Sequence, residues 1–254
     1  MKIKHALVAL TLPALIAIAT PGIGQVEKDT VDRVRKNIIR YNLSGAMLFG
    51  VDKYIVLGYE RVVGPHQSFS VNLGRASLPR LVSISTSNVD LKKETKRSGL
   101  NVSVDYRFYL AKENKFRAPR GVYIGPYYSF IQFKNQVDWT YVKDGGQSNV
   151  TSKTDFKINT IVFELGYQFI FWKKWSLDLV MIGPGMGFYS YKASFNGNLT
   201  QETQEKLFDA LEQALEQKFP GMNYVFSDEH IAADGVMRTN TFGYRYLVQI
   251  GFHF

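Results

Sequence analysis

Thr239-Asn-Thr-Phe-Gly-Tyr-Arg-Tyr-Leu-Val-Gln-Ile-Gly-Phe-His-Phe254 is the stretch that decides the fold. Every second residue is aromatic or aliphatic: Phe242, Tyr244, Tyr246, Val248, Ile250, Phe252 and Phe254. The residues between them are Gly243, Arg245, Leu247, Gln249, Gly251 and His253, small or polar apart from the leucine. Successive side chains of a strand point to opposite faces. The stretch therefore reads as a strand with one apolar, aromatic face and one polar face.

Working back from it, the same alternation recurs in seven earlier segments, at residues 37–49, 53–63, 68–76, 99–112, 121–139, 157–172 and 176–195. The clearest sets Leu100, Val102, Val104, Tyr106, Phe108 and Leu110 against Asn101, Ser103, Asp105, Arg107 and Tyr109. Another puts Ile161, Phe163, Leu165, Tyr167, Phe169 and Phe171 on one face. Eight is an even number, and each segment reaches the ~9–11 residues that a membrane-crossing strand needs. The links alternate as well. Those at 64–67, 113–120 and 173–175 are short, and those at 77–98, 141–156 and 196–238 are long. Short turns on one side and long loops on the other are expected of such a barrel. The first outer loop, around Gly50, Val51 and Asp52, is short and breaks the rule.

Alternation alone does not say which face points inward. Three details choose an apolar exterior. The polar faces carry Gly, Ser, Asn, Thr and Gln but almost no Lys, whereas Lys36, Lys53, Lys112, Lys157, Lys173, Lys174 and Lys192 sit at strand ends or in loops. The charges on those faces are of both signs: Arg40, Glu60, Asp105, Arg107, Glu164, Asp178 and Arg245. Aromatics gather near strand ends, with Phe171, Trp172, Trp175, Phe252 and Phe254 at one rim and Tyr54, Phe133, Trp139 and Phe188 towards the other, as in two interfacial girdles. The sequence thus predicts an all-β fold, a transmembrane antiparallel eight-stranded up-and-down β-barrel over residues 37–254. Eight strands enclose a lumen that side chains fill. The opposite charges are expected to pair there, Glu60, Asp105 and Glu164 with Arg40, Arg107 and Arg245, because an isolated buried charge costs several kcal/mol.

The N-terminus reads as an export signal. Lys2 and Lys4 precede an apolar stretch at residues 6–19, and small residues follow, so residues 1–24 are expected to be a signal peptide and 25–36 a short periplasmic lead. No later run reaches the ~18 apolar residues of a membrane helix. The chain has no cysteine, which excludes disulfides, thiolate metal sites and Cys nucleophiles. Its formal charge of +9 suits contact with lipopolysaccharide phosphates; an exported chain does not normally meet nucleic acid, so none is expected as a partner.

With an apolar exterior, a polar interior and Phe254 closing the last strand, the chain resembles the small eight-stranded outer-membrane barrels of Gram-negative bacteria, such as the transmembrane domain of outer membrane protein A. The segments at residues 38–43 and 57–61 are also similar to a family of small outer-membrane barrels of unassigned function. The resemblance implies that Phe252 and Phe254 belong to an assembly signal read by the barrel-insertion machinery. It implies no peptidoglycan-binding role, since no such domain follows the barrel.

Chemistry is sparse. Some small outer-membrane barrels are lipid A deacylases or acyltransferases, which need a His beside a nucleophile. Of the four histidines, His5 belongs to the signal, His66 to a short turn and His253 to the C-terminus, which leaves His230 in an outer loop beside Asp228 and Glu229. No catalytic residue, cofactor or metal ligand is assigned; the Asp228, Glu229 and Asp234 spacing matches no calcium loop. Gly183, Gly185 and Gly187 lack the lysine and helix of a phosphate loop and read as a kink or close backbone approach.

The last outer loop, residues 196–238, is distinctive. Residues 200–219 read as an amphipathic helix, with Leu207, Leu211 and Leu215 at i, i+4 and i+8 and acidic residues opposite. The stripe suits either a lid over the barrel mouth or a docking face for a protein or glycan. The expected role is non-enzymatic, structural or surface-interacting, with a narrow gated channel and a lipid A-modifying enzyme as alternatives.

Overall fold

Antiparallel pairing carries the chain around a closed ring of eight staves. The computed structural model describes residues 35–77, 89–143, 146–196 and 235–254. The expected signal peptide and nearly all of the lead, the loop helix with Leu207, Leu211 and Leu215, and His230 lie outside the described residues.

Strands β1 (Asn37–Asn42), β2 (Tyr54–Gly64), β3 (Gln67–Ala76), β4 (Val89–Tyr109), β5 (Gly121–Lys143) and β6 (Gly146–Phe171) pair in succession. The seventh stave is β7 (Trp175–Ile182) followed by β8 (Pro184–Asn196). The eighth is β9 (Val236–Tyr244) followed by β10 (Leu247–His253), and β10 returns to β1. The register sets the tilt. From Gly251 the paired neighbours are Arg40, Gly58, Asn72, Ser103, Ser129, Thr160, Gly187 and then Thr241, ten residues up the stave that holds Gly251. A stagger of that size in an eight-stranded barrel goes with strands inclined by roughly 40°.

Several sequence expectations need correction. The first strand stops at Asn42, not at residue 49, because Leu43–Phe49 forms a short helix, α1. The stretch after Leu43 is Ser-Gly-Ala-Met-Leu-Phe, with no β-branched residue and a ready cap. Asn42 accepts from Gly45 N at 2.9 Å and donates to Tyr54 Oη at 3.2 Å. Gly45 lies against the Tyr54 ring, where a Cβ would come within 2.0 Å of Cε1. Ser44 Oγ accepts from Val248 N at 2.8 Å, a donor that a longer first strand would have taken up. Asn42→Ala is expected to lower unfolding stability by about 1 kcal/mol, the usual cost of a lost N-cap, measured by urea unfolding in detergent; no change would show that α1 does not depend on its cap.

The long outer loop expected at residues 141–156 is largely strand, since β5 and β6 pair without interruption up to Lys143 and Gly146. Likewise β4 begins at Val89 within the loop expected at 77–98. The seventh stave is not one strand. Ser176, Asp178 and Val180 face inward below the break, and Gly187, Tyr191 and Ala193 face inward above it, so the inward parity switches from even to odd. The register against β6 shifts at Leu165/Gly166. Gly183 sits at the switch, where a Cβ would meet Val162 Cγ1 at 2.6 Å. This is the effect of one extra residue in a stave.

The chosen polarity is confirmed: Leu57, Leu73, Phe163 and Tyr246 are exposed on the outside while Arg40, Glu60, Arg107 and Glu164 are buried within. A barrel with an apolar exterior is of the transmembrane type. Phe252, Phe254, Trp172 and Trp175 do lie exposed at one rim, where Trp175 and Phe252 pack edge to face at 5.2 Å. The opposite girdle is different from the expected one. Phe188 is exposed, but Tyr54 and Phe133 point inward and join Val56, Phe156, Tyr191 and Met237 in an apolar cluster; Trp139's side chain is outside the described ones. Tyr54 shares the parity of Glu60, and Phe133 that of Tyr123, so register overrode their position near strand ends.

Candidate functional site

The lumen below that apolar cluster is filled by charge. Arg40 lies on β1 between two glycines, Gly251 on one paired neighbour and Gly58 on the other. Without side chains there, its guanidinium has room to reach across the barrel. It meets Asp178 Oδ2 at 3.3 Å, Asp105 Oδ2 at 3.4 Å and Glu60 Oε2 at 3.5 Å. Arg107, from β4, bonds Asp105 Oδ1 through Nε at 2.6 Å and Asp178 Oδ2 through Nη2 at 2.8 Å, with Glu60 Oε2 at 3.9 Å. Both arginine side chains are 1% exposed.

Neutral groups complete the cluster. Ser68 Oγ donates to Glu60 Oε1 at 2.6 Å, and Ser70 Oγ donates to Asp105. Tyr123 Oη donates to Asp178 Oδ1 at 2.7 Å, and its ring lies 4.3 Å from the Arg107 guanidinium. Tyr109 Oη donates to Gln168 Oε1 at 2.7 Å, and Arg107 Nη1 donates to the same oxygen at 3.2 Å. Charged groups taken from water are tolerated when they are paired and their remaining positions are hydrogen-bonded. Here each carboxylate of the central cluster has a guanidinium and a hydroxyl, and the cluster links staves one, two, three, four, five, six and seven through these side chains.

A second pair stands beside it. Arg245 Nη1 donates to Glu164 Oε2 at 2.5 Å, and the Arg245 guanidinium stacks on Tyr127 at 3.8 Å. Arg40, Glu60, Asp105, Arg107, Glu164 and Arg245, the six charges expected to pair, each lie within 4.0 Å of an oppositely charged side chain. The pairing differs in two ways. Glu164 does not join the central group, and Asp178, noted among the polar-face charges but left out of the network, is a hub of it. Its signal was present as an inward acid in the Ser176-Leu-Asp178-Leu-Val180 alternation. What no alternation gives is the partner, since Arg40 and Arg107 reach it across the lumen from staves that are not its neighbours. The supporting Tyr109, Tyr123 and Gln168 were not singled out either; they read as ordinary strand residues.

The described histidines, His66 and His253, both lie at the short-turn end, and neither His66 Nδ1 nor His253 Nε2 makes a hydrogen bond. Among the described residues no group of three or more His, Asp or Glu is placed to hold a metal ion. Phe252 and Phe254 face outward, and the Phe254 amide donates to Asn37 O at 2.9 Å, which closes the ring to its last residue.

The crystal structure of Acinetobacter baumannii CarO is similar over 89% of this chain and 100% of its own, at 9% identity and a TM-score of 0.36. That of A. baumannii CarO2 is similar over 86% of this chain and 97% of its own, at 10% identity and a TM-score of 0.34. No protein-family model matches the chain. No curated protein matches it.

Proposed function

We propose that this chain is a non-enzymatic barrel of the Gram-negative outer membrane, sealed by its charge network, which acts through its outer surface. The observation that carries the reading is the crossing of the lumen by Arg40 and Arg107, each bound to carboxylates from several staves. A lumen spanned by locked side chains is a plug. The refolded protein in planar bilayers is therefore expected to show no unitary conductance. Regular ion-conducting steps from the unmodified chain would favour a gated channel instead.

The outer surface supports partners of two kinds. Exposed Arg75, Lys134, Lys153, Lys192 and Arg238, at the end away from the short turns, suit lipopolysaccharide phosphates. A protein or glycan partner at residues 196–238 rests on the Leu207, Leu211 and Leu215 stripe of the sequence. Insertion through the barrel machinery rests on the outward Phe252 and Phe254. Deleting Phe254 is expected to reduce the heat-modifiable, folded form in outer-membrane fractions several-fold. Unchanged yield and gel mobility would count against that role.

A further inference from the structure

The end of the barrel with the short turns is a collar of cations. The turn at residues 110–120 carries Lys112, Lys115, Arg117 and Arg120, the turn at 172–174 carries Lys173 and Lys174, and Arg35, Lys36 and Arg61 stand beside them. These segments hold nine cationic side chains and a single carboxylate, Glu113, whereas the whole chain has 31 against 22. All but Arg120 are exposed. The segments form one rim: Ala118 N donates to Pro65 O at 2.8 Å, Arg35 Nη1 to Lys173 O at 2.6 Å and His253 N to Lys174 O at 2.7 Å. Asn114 pins the longer turn, accepting from Val122 N and donating to Val122 O, both at 2.7 Å.

Like charges held on one rim repel one another, and an anionic surface facing them relieves that repulsion. Two aromatics indicate what that surface is. Trp172 is 82% exposed, and Phe116 is 44% exposed beneath the Arg120 guanidinium, at 3.7 Å. Exposed Trp beside Lys and Arg, directly next to the Trp175 and Phe252 belt, is the arrangement of a membrane–water interface. We propose that the collar binds the phosphates of anionic phospholipid headgroups in the leaflet at the short-turn end, which fixes the depth and direction of the barrel. The inference rests on the transmembrane reading above.

The test is lipid retention by the full refolded chain, read by native mass spectrometry in detergent with phosphatidylglycerol, cardiolipin or phosphatidylcholine added. The unmodified protein is expected to retain the two anionic lipids several-fold more than phosphatidylcholine, less so as salt rises. Lys112→Gln, Lys115→Gln, Arg117→Gln and Lys174→Gln combined should remove most of that preference. A control with Lys53→Gln, Lys96→Gln and Lys157→Gln, three cations away from the short-turn end, should keep it. Equal retention of all three lipids, a preference indifferent to salt, or loss only in the control would overturn the proposal. A preference for soluble peptidoglycan fragments over both anionic lipids would also overturn it, in favour of a cell-wall contact. If the combined variant does not fold, Lys115→Gln with Lys174→Gln, both exposed turn residues, is expected to reduce the preference about two-fold, and an unchanged preference in that variant would overturn the proposal. Failure of the unmodified chain to give a heat-modifiable barrel in detergent would instead defeat the transmembrane reading.

Discussion

Arg107→Ala is expected to destabilise the barrel by about 3–5 kcal/mol, the usual result of removing one partner from a buried ionic cluster. The change leaves Asp105 without its 2.6 Å partner and Asp178 without its 2.8 Å partner. Arg40 alone would then face Glu60, Asp105 and Asp178, at distances of 3.3–3.5 Å. Tyr123 would also lose the cation over its ring. Urea unfolding in detergent or liposomes gives the stability. Bilayer recordings of the surviving folded protein should show conductance that the unmodified protein lacks, because the guanidinium is part of the barrier. Arg107→Lys tests geometry separately from charge. A lysine supplies a point charge and cannot reach Asp105, Asp178 and Gln168 together as the planar fork does. It is expected to recover only part of the loss. Full stability in both variants would mean that the network neither supports the fold nor seals it.

The second large effect is expected from Gly125→Ala. A Cβ at Gly125 would lie 1.8 Å from the backbone oxygen of Tyr106. The next residue, Pro126, has no amide to donate, and the ladder between β4 and β5 is interrupted between the Asp105↔Tyr127 and Phe108↔Ile124 pairs. The glycine lets the β4 backbone cross close to β5 where the ladder opens. The obstacle is a main-chain atom and cannot swing aside. The variant should therefore lose about 3 kcal/mol, at the upper end for overpacking, or leave a larger fraction unfolded after refolding. By contrast Gly243→Ala, where nothing lies within 4 Å of the Cβ position, should unfold like the parent. Equal stability of the two variants would show that the close approach relaxes at little cost.

Period-two alternation determined that this chain forms strands and that the Phe242-to-Phe254 face is apolar; the scarcity of lysine and the mixed charges on the other face then assigned Arg40, Glu60, Asp105, Arg107, Glu164 and Arg245 to the interior. That was legible because a strand assigns each residue to a face by parity, and a face rich in aromatics with lysine excluded from the other has a membrane-barrel polarity. It also suggested an even number of staves. Position near a strand end was a poorer guide. Tyr54 and Phe133 looked like girdle residues, yet parity sent both inward.

Other features were decided only by tertiary structure, each for a reason that lies outside local sequence. The first strand ends at Asn42 because its side chain caps α1 and meets Tyr54 Oη from the following strand. Stave seven changes parity at Gly183 because its register against β6 slips near Gly166. Asp178 becomes a hub because the stagger of ten residues brings staves that are distant in the sheet to one level of a narrow lumen. Alternation fixes which way a side chain points; only barrel closure fixes which side chains stand opposite one another, since that depends on the pairing of every stave with the next.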